Sequence, residues 1–276
     1  MGRPTSSGTQ KAAADPGALV RHWRTARGKS QMDLALEADI SPRHMSFVET
    51  GRSRASRKLL IRLAASLGIP SREENVLLEA AGYARRISES HLSDPDMAQV
   101  RKVLRFLLDR HEPNSALVFD RHWNIVMSNN GHRATLEFFL AGRDVPAEVR
   151  GNLLRLTYHP TGLRPHIANW DVVGPTLLAR VEQESADAPS DFGLASILEE
   201  IRTYGPVPQA EPEALGRHRL LLPVRLRRDR VDVRLISVLS TIGAAMDLTV
   251  MELRIESFFP SDEESERQMT ALREMC

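Results

Sequence analysis

Apolar residues recur at helical spacing from Leu19 to about Arg86, three and four apart as on one face of an α-helix. Four short helices account for the first part of this stretch, over residues 19–27, 31–38, 42–50 and 56–67, with Gly28, Gly51 and Gly68 as stops. Ser30 stands before the second helix with Asp33 three residues on, an approximate capping box. Ser41 caps the third, and Pro42 occupies the first helical position, where its missing N–H costs nothing. The pattern is interrupted at 88–96, a polar, turn-rich stretch read as a linker. One amphipathic helix follows over 97–110, with Val100, Val103, Leu104, Leu107 and Leu108 on one face. Beyond Pro113 the period changes. Runs at 116–119 and 123–127 flank a turn and predict a β-hairpin. Residues 131–204 return to helices broken by glycine and proline, and 218–226, 231–242 and 251–259 predict three closing strands. The result is a multidomain chain: an all-α domain over 17–87, and an α+β domain over 97–276. Residues 1–16 read as a disordered arm.

Charge sharpens this division. Residues 1–90 hold 15 Lys/Arg against 9 Asp/Glu, and the remaining 186 hold 22 against 27. Only the first part is suited to a polyanion. Cys276 is the sole cysteine, so the sequence carries no internal disulfide and no thiolate metal cluster. With no apolar run of membrane-spanning length and no signal-peptide core at the N-terminus, the expected location is the cytoplasm, with no membrane partner.

The second and third helices, joined by the turn at Asp39 and Ile40, make a helix-turn-helix, whose second helix enters the major groove of DNA. With Met45 and Val48 turned inward, Arg43, His44, Ser46 and Phe47 face outward. Arginine can bind guanine bidentately, His44 and Ser46 can bond a base edge or phosphate, and Phe47 can meet a thymine methyl. Gln31 at the start of the second helix is placed for a phosphate, as are Arg52, Arg54 and Arg57 in and beyond the loop after the third. Ser41 completes the candidate set. The bland alternative is a helical bundle with solvated arginines. The stretch from Ser30 to Arg52 (SQMDLALEADISPRHMSFVETGR) resembles the XRE, or Cro/repressor-type, family. Asp39 departs from that pattern, standing where the family has a left-handed glycine, and Glu49 reads as a brace for the loop.

The larger domain resembles the MmyB-like ligand-binding domain, a PAS-like sensor module. The resemblance rests on Ala116–Asn129 (ALVFDRHWNIVMSN), Leu153–Leu156, Trp170 and Leu253–Pro260 (LRIESFFP). It implies an apolar cavity between a small antiparallel sheet and its helices, and a hydrophobic ligand, with fatty acids the first choice. Candidate pocket residues are Met127, Asn129, Phe138, Tyr158, His159, Trp170 and Leu177, with Leu136, Phe139 and Leu178 beside them. Each is equally at home as core, and Asn129 as a turn-capping amide. His159, His166 and Asp171 are close in sequence but do not share a helix face as an HExxH pair does. No metal site, no cofactor and no catalytic motif is expected. The sequence therefore predicts a ligand-responsive regulator that binds operator DNA as a homodimer. A ligand-free dimerisation adaptor, or an enzyme domain on a DNA-binding head, is the alternative.

Overall fold

The computed structural model describes residues 15–209, 221–243 and 246–275. The arm expected at the N-terminus and the start of the strand expected at 218 lie outside them, except that Asp15 and Pro16 already belong to the first helix and its cap. The chain divides into two compact units, residues 1–88 and 89–276.

The first unit is all-α. Helices α1 (Pro16–Ala26), α2 (Gln31–Glu37), α3 (Pro42–Glu49), α4 (Arg57–Leu67) and α5 (Ser71–Ala80) enclose one core. Val20, Trp23, Leu34, Met45, Leu60, Leu63 and Leu78 are each at most 3% exposed within it. Local chemistry sets the boundaries. Ser30 and Asp33 form a complete capping box on α2, and the Ser41 hydroxyl accepts the His44 amide at the start of α3. Asp39 turns the chain between them at φ 51°, a left-handed conformation that aspartate reaches at modest cost.

The second unit is α+β and PAS-like. After α6 (Ala98–Arg110), strands β1 (Ala116–Phe119) and β2 (Ile125–Ser128) form a hairpin. Helices α7 (Asn130–Leu140), α8 (Ala147–Arg150), α9 (Leu153–Tyr158), α10 (Trp170–Asp187) and α11 (Phe192–Thr203) follow. The chain closes with β3 (Leu222–Arg228), β4 (Val231–Thr241), the short α12 (Leu248–Glu252), β5 (Arg254–Pro260) and α13 (Glu263–Glu274). The sheet is antiparallel in the order β2-β1-β5-β4-β3. Alternation gives it two faces. Ala116, Val118 and Ile255 pack with Leu104 and Leu108 of α6. Leu117 and Phe119 pack with α9, α10 and α11 on the other side.

Three sequence expectations shift. The 88–96 stretch is tied to the second unit from Ser90 on, because the Asp247 carboxylate accepts the Ser90 amide and Arg101 donates to the carbonyls of Leu92 and Asp94. The second strand begins at Ile125, not Trp123, because Trp123 sits at φ 64° in the turn, stacked on Phe119 at 4.8 Å. The closing strand begins at Arg254, because Asp247 caps α12 and draws Met251 into a helix.

Asn129 joins three elements. Its Oδ1 accepts the amides of Ala116 and His132, and its Nδ2 donates to the carbonyls of Leu108 and Asn114. The residue is 2% exposed, so no water replaces these bonds. Asn129→Ala therefore lowers the stability of the second unit by about 2–4 kcal/mol, read by calorimetry as a fall in that unit's unfolding temperature.

Candidate functional site

In the first unit, α3 is aimed by a buried charge. Glu49 at its end is 1% exposed and takes Arg24 Nε at 2.6 Å, Arg24 Nη2 at 3.1 Å and Gln31 Nε2 at 2.7 Å. Arg21 donates to the Glu49 carbonyl. One carboxylate thus locks α1 and α2 onto α3. Burial alone would push its carboxyl up, but the hydrogen bonds from Arg24 and Gln31, with the charges of Arg24 and Arg21, hold it below the usual glutamate range. Glu49 braces the helices rather than the loop.

The outer face of α3 carries Arg43, exposed, with its guanidinium 5.4 Å from the Phe47 ring. His44, Ser46 and Phe47 are partly exposed beside it. His44 Nε2 lies 3.5 Å from the Ser53 hydroxyl. Arg52 and Arg57 are exposed with no ion pair among the described residues. Three residues of the expected set have internal duties. Ser41 caps α3, Gln31 spends its amide on Glu49, and Arg54 lies over the Tyr83 ring and donates to the Ala81 carbonyl.

In the second unit a cavity of about 440 Å³ lies between the sheet and its helices, within the roughly 300–1,000 Å³ usual for small-molecule sites. Most of its wall is apolar. Leu136 of α7, Leu153 of α9, Val173 and Leu177 of α10, Val224 and Leu226 of β3, Leu235 and Leu239 of β4 and Phe258 of β5 contribute. Polar groups interrupt it at Ser115, His132, Arg180, Ser237 and Glu256. His132 is 5% exposed; its Nδ1 meets the Ser115 hydroxyl at 3.0 Å, and its Nε2 has no partner. Burial pushes this imidazole down to about 4, so it is neutral near pH 7 and too weak a base to activate Ser115 as a nucleophile. Burial likewise raises the Glu256 carboxyl, opposed by a hydrogen bond from Ser237 and the charge of Arg180.

Of the seven residues expected at the pocket, Leu177 lines it. Met127 points to the other face of the sheet, against the α6 cluster, because strand alternation sends it there. Asn129 is the structural amide described above. Phe138 packs beside Phe139 under Arg228. Tyr158 donates to the Gly174 carbonyl and meets Trp170 edge to face, fixing α9 on α10. His159 pairs with Thr161 and the Tyr204 ring. The polar groups that do face the cavity come from segments far apart in sequence. Their one local signal is the alternation Arg254, Glu256, Phe258, which puts a carboxylate on the side of the strand that an aromatic marks as inward.

Comparisons with known proteins agree with this division. A model of the MmyB-like transcription regulator ligand binding domain matches residues 100–272, and a helix-turn-helix domain model matches residues 17–77. No curated protein matches the chain.

The Glu49 network has a pH signature. A carboxyl whose folded pKa is depressed contributes stability that is complete above its unfolded pKa, near 4.5, and is lost as pH falls through the folded value. Glu49→Gln should lower the stability of the first unit by about 3 kcal/mol at neutral pH. The deficit should shrink as calorimetric scans are taken down to pH 4 and below; a pH-independent deficit would show that the charge is not its source.

Proposed function

The chain belongs to the MmyB-like transcription regulator ligand binding domain family, and on that premise we propose that it regulates transcription by binding a specific operator through α3 under the control of a small hydrophobic ligand. The observation that carries the reading is that one chain carries both a complete helix-turn-helix unit and a second unit with a mostly apolar cavity. Arg43 reads a base, Phe47 backs its guanidinium, and His44 and Ser46 contact bases or phosphates. Arg52 and Arg57 follow the backbone. Gln31, Ser41 and Arg54 act indirectly, by fixing α3 and the loop after it. The ligand acts by binding the DNA-competent and DNA-incompetent states with different affinity, and the family resemblance makes a fatty acid the first molecule to try. On this reading the protein is a cytoplasmic regulator and not an enzyme.

A homodimer fits the exposed apolar stripe of α6, where Val103 is 43%, Phe106 57% and Leu107 43% exposed. A two-fold contact would bury the stripe against its copy and present two reading heads to a palindromic operator.

Selection of binding sites from genomic fragments by the purified protein, with and without added lipid, tests the whole reading. It should return a two-fold motif whose recovery changes with lipid; recovery without sequence preference would end it. Within that motif, Arg43→Ala should cost about 1–3 kcal/mol at one position and relax the choice of base there. Arg57→Ala should instead weaken all sequences alike and reduce the salt dependence. Phe106→Glu should convert the dimer to a monomer in light scattering while the circular dichroism spectrum is kept.

A further inference from the structure

Ser115, Ser237 and Glu256, three polar groups of the cavity wall, are placed by strand register. On the cavity side of the sheet, Ser115, Phe258 and Ser237 form a row across β1, β5 and β4, since the Ser115 carbonyl accepts the Phe258 amide and Ser237 pairs with Phe258. Leu117, Glu256 and Leu239 form the next row. Glu256 thus lies diagonally from both serines. The Ser237 hydroxyl donates to its Oε1 at 2.5 Å, and its Oε2 makes no hydrogen bond among the described residues. His132 is held over the row by Ser115, with Nε2 unpartnered in a cavity-lining residue that is 5% exposed.

A buried polar atom without a partner is costly, so a ligand that satisfies it gains directionality as well as apolar contact. Resting on the ligand-sensing reading above but departing from its fatty-acid first choice, we propose that the cavity selects an amphiphile with an uncharged head, an aliphatic alcohol or primary amide, hydrogen-bonded between Glu256 and His132. A carboxylate head would be a buried anion against Glu256, whose own charged form burial already disfavours. The neighbouring cation does not offset this, because Arg180 donates to Glu184 at 2.9 Å and lies over the Trp123 ring. An ammonium head would suit an ionised Glu256 but would lie close to Arg180, and His132 would have to accept from it alone. A hydroxyl carries one donor and two acceptor sites and so can serve both residues at once. Burial keeps His132 neutral near pH 7 and raises the Glu256 carboxyl, disfavouring its charged form.

The test is calorimetric titration of the full-length protein with 1-dodecanol, dodecanamide, dodecanoate and dodecylamine, all below their aggregation limits. The alcohol and the amide should bind at least about tenfold tighter than the two charged probes. Glu256→Gln keeps a neutral hydrogen-bonding group and should hold dodecanol affinity within a few-fold. Glu256→Leu and His132→Phe should each weaken it about tenfold, with unfolding midpoints recorded to show that each variant folds. Tightest binding of dodecanoate or dodecylamine, or unchanged dodecanol affinity in folded Glu256→Leu, overturns the head assignment and leaves ligand sensing standing. Failure of all four probes to bind removes both.

Discussion

A carboxylate taken out of water must be met by donors, and Glu49 obtains its donors from two other helices. Arg24 of α1 and Gln31 of α2 converge on it with Arg21 alongside. That convergence leaves α3 one position relative to α1 and α2. The core of Val20, Leu34, Met45 and Leu63 supplies cohesion, but apolar contacts are non-directional. The charge supplies orientation. Arg43 and Phe47 take their outward positions from it without touching it, since rotation of α3 by a fraction of a turn would send them elsewhere.

The second unit meets the same difficulty with an amide and a second carboxylate. Asn129 saturates both ends of its amide at the meeting of α6, β1 and α7, while Glu112 accepts the first amides of α7 at Asn130 and Gly131. These nodes are fully satisfied and structural. A few ångströms of chain away, His132 sits on the same helix with one nitrogen satisfied and the other not. The contrast between a saturated amide and a half-saturated imidazole separates scaffold from site here more sharply than residue type does. Trp123 adds to that distinction. A bulky side chain at φ 64° is strained, and it is held by stacking on Phe119 and by donation to Glu184 while it lines the cavity.

The first unit was legible because its signals are local. Caps at Ser30 and Ser41, the left-handed Asp39 and the inward pair Met45 and Val48 all act within a few residues of one another. What those signals do not carry is the second duty of polar side chains: Gln31 and Arg54, expected at phosphates, also bond partners 18 and 27 residues away. The cavity was legible only as a class. Tyr158 and Trp170 were marked for size, yet large aromatics find partners in one another and fill the core. The walls draw on branched aliphatics of β3 and β4 and of α7, α9 and α10, and of the polar lining Ser115, Ser237 and Glu256 meet only through the register of the strands.

The cavity also bears on how much of this protein a cell holds. Wall atoms facing an unfilled volume lack the dispersion contacts that a packed core provides, so the second unit is least stable when it is empty. A molecule that binds the folded form alone stabilises it in proportion to the logarithm of its concentration. Proteases draw on the opened population. Scarcity of the ligand would then shorten the life of the regulator and abundance would lengthen it, so the same occupancy that sets the state of each molecule also sets how many there are.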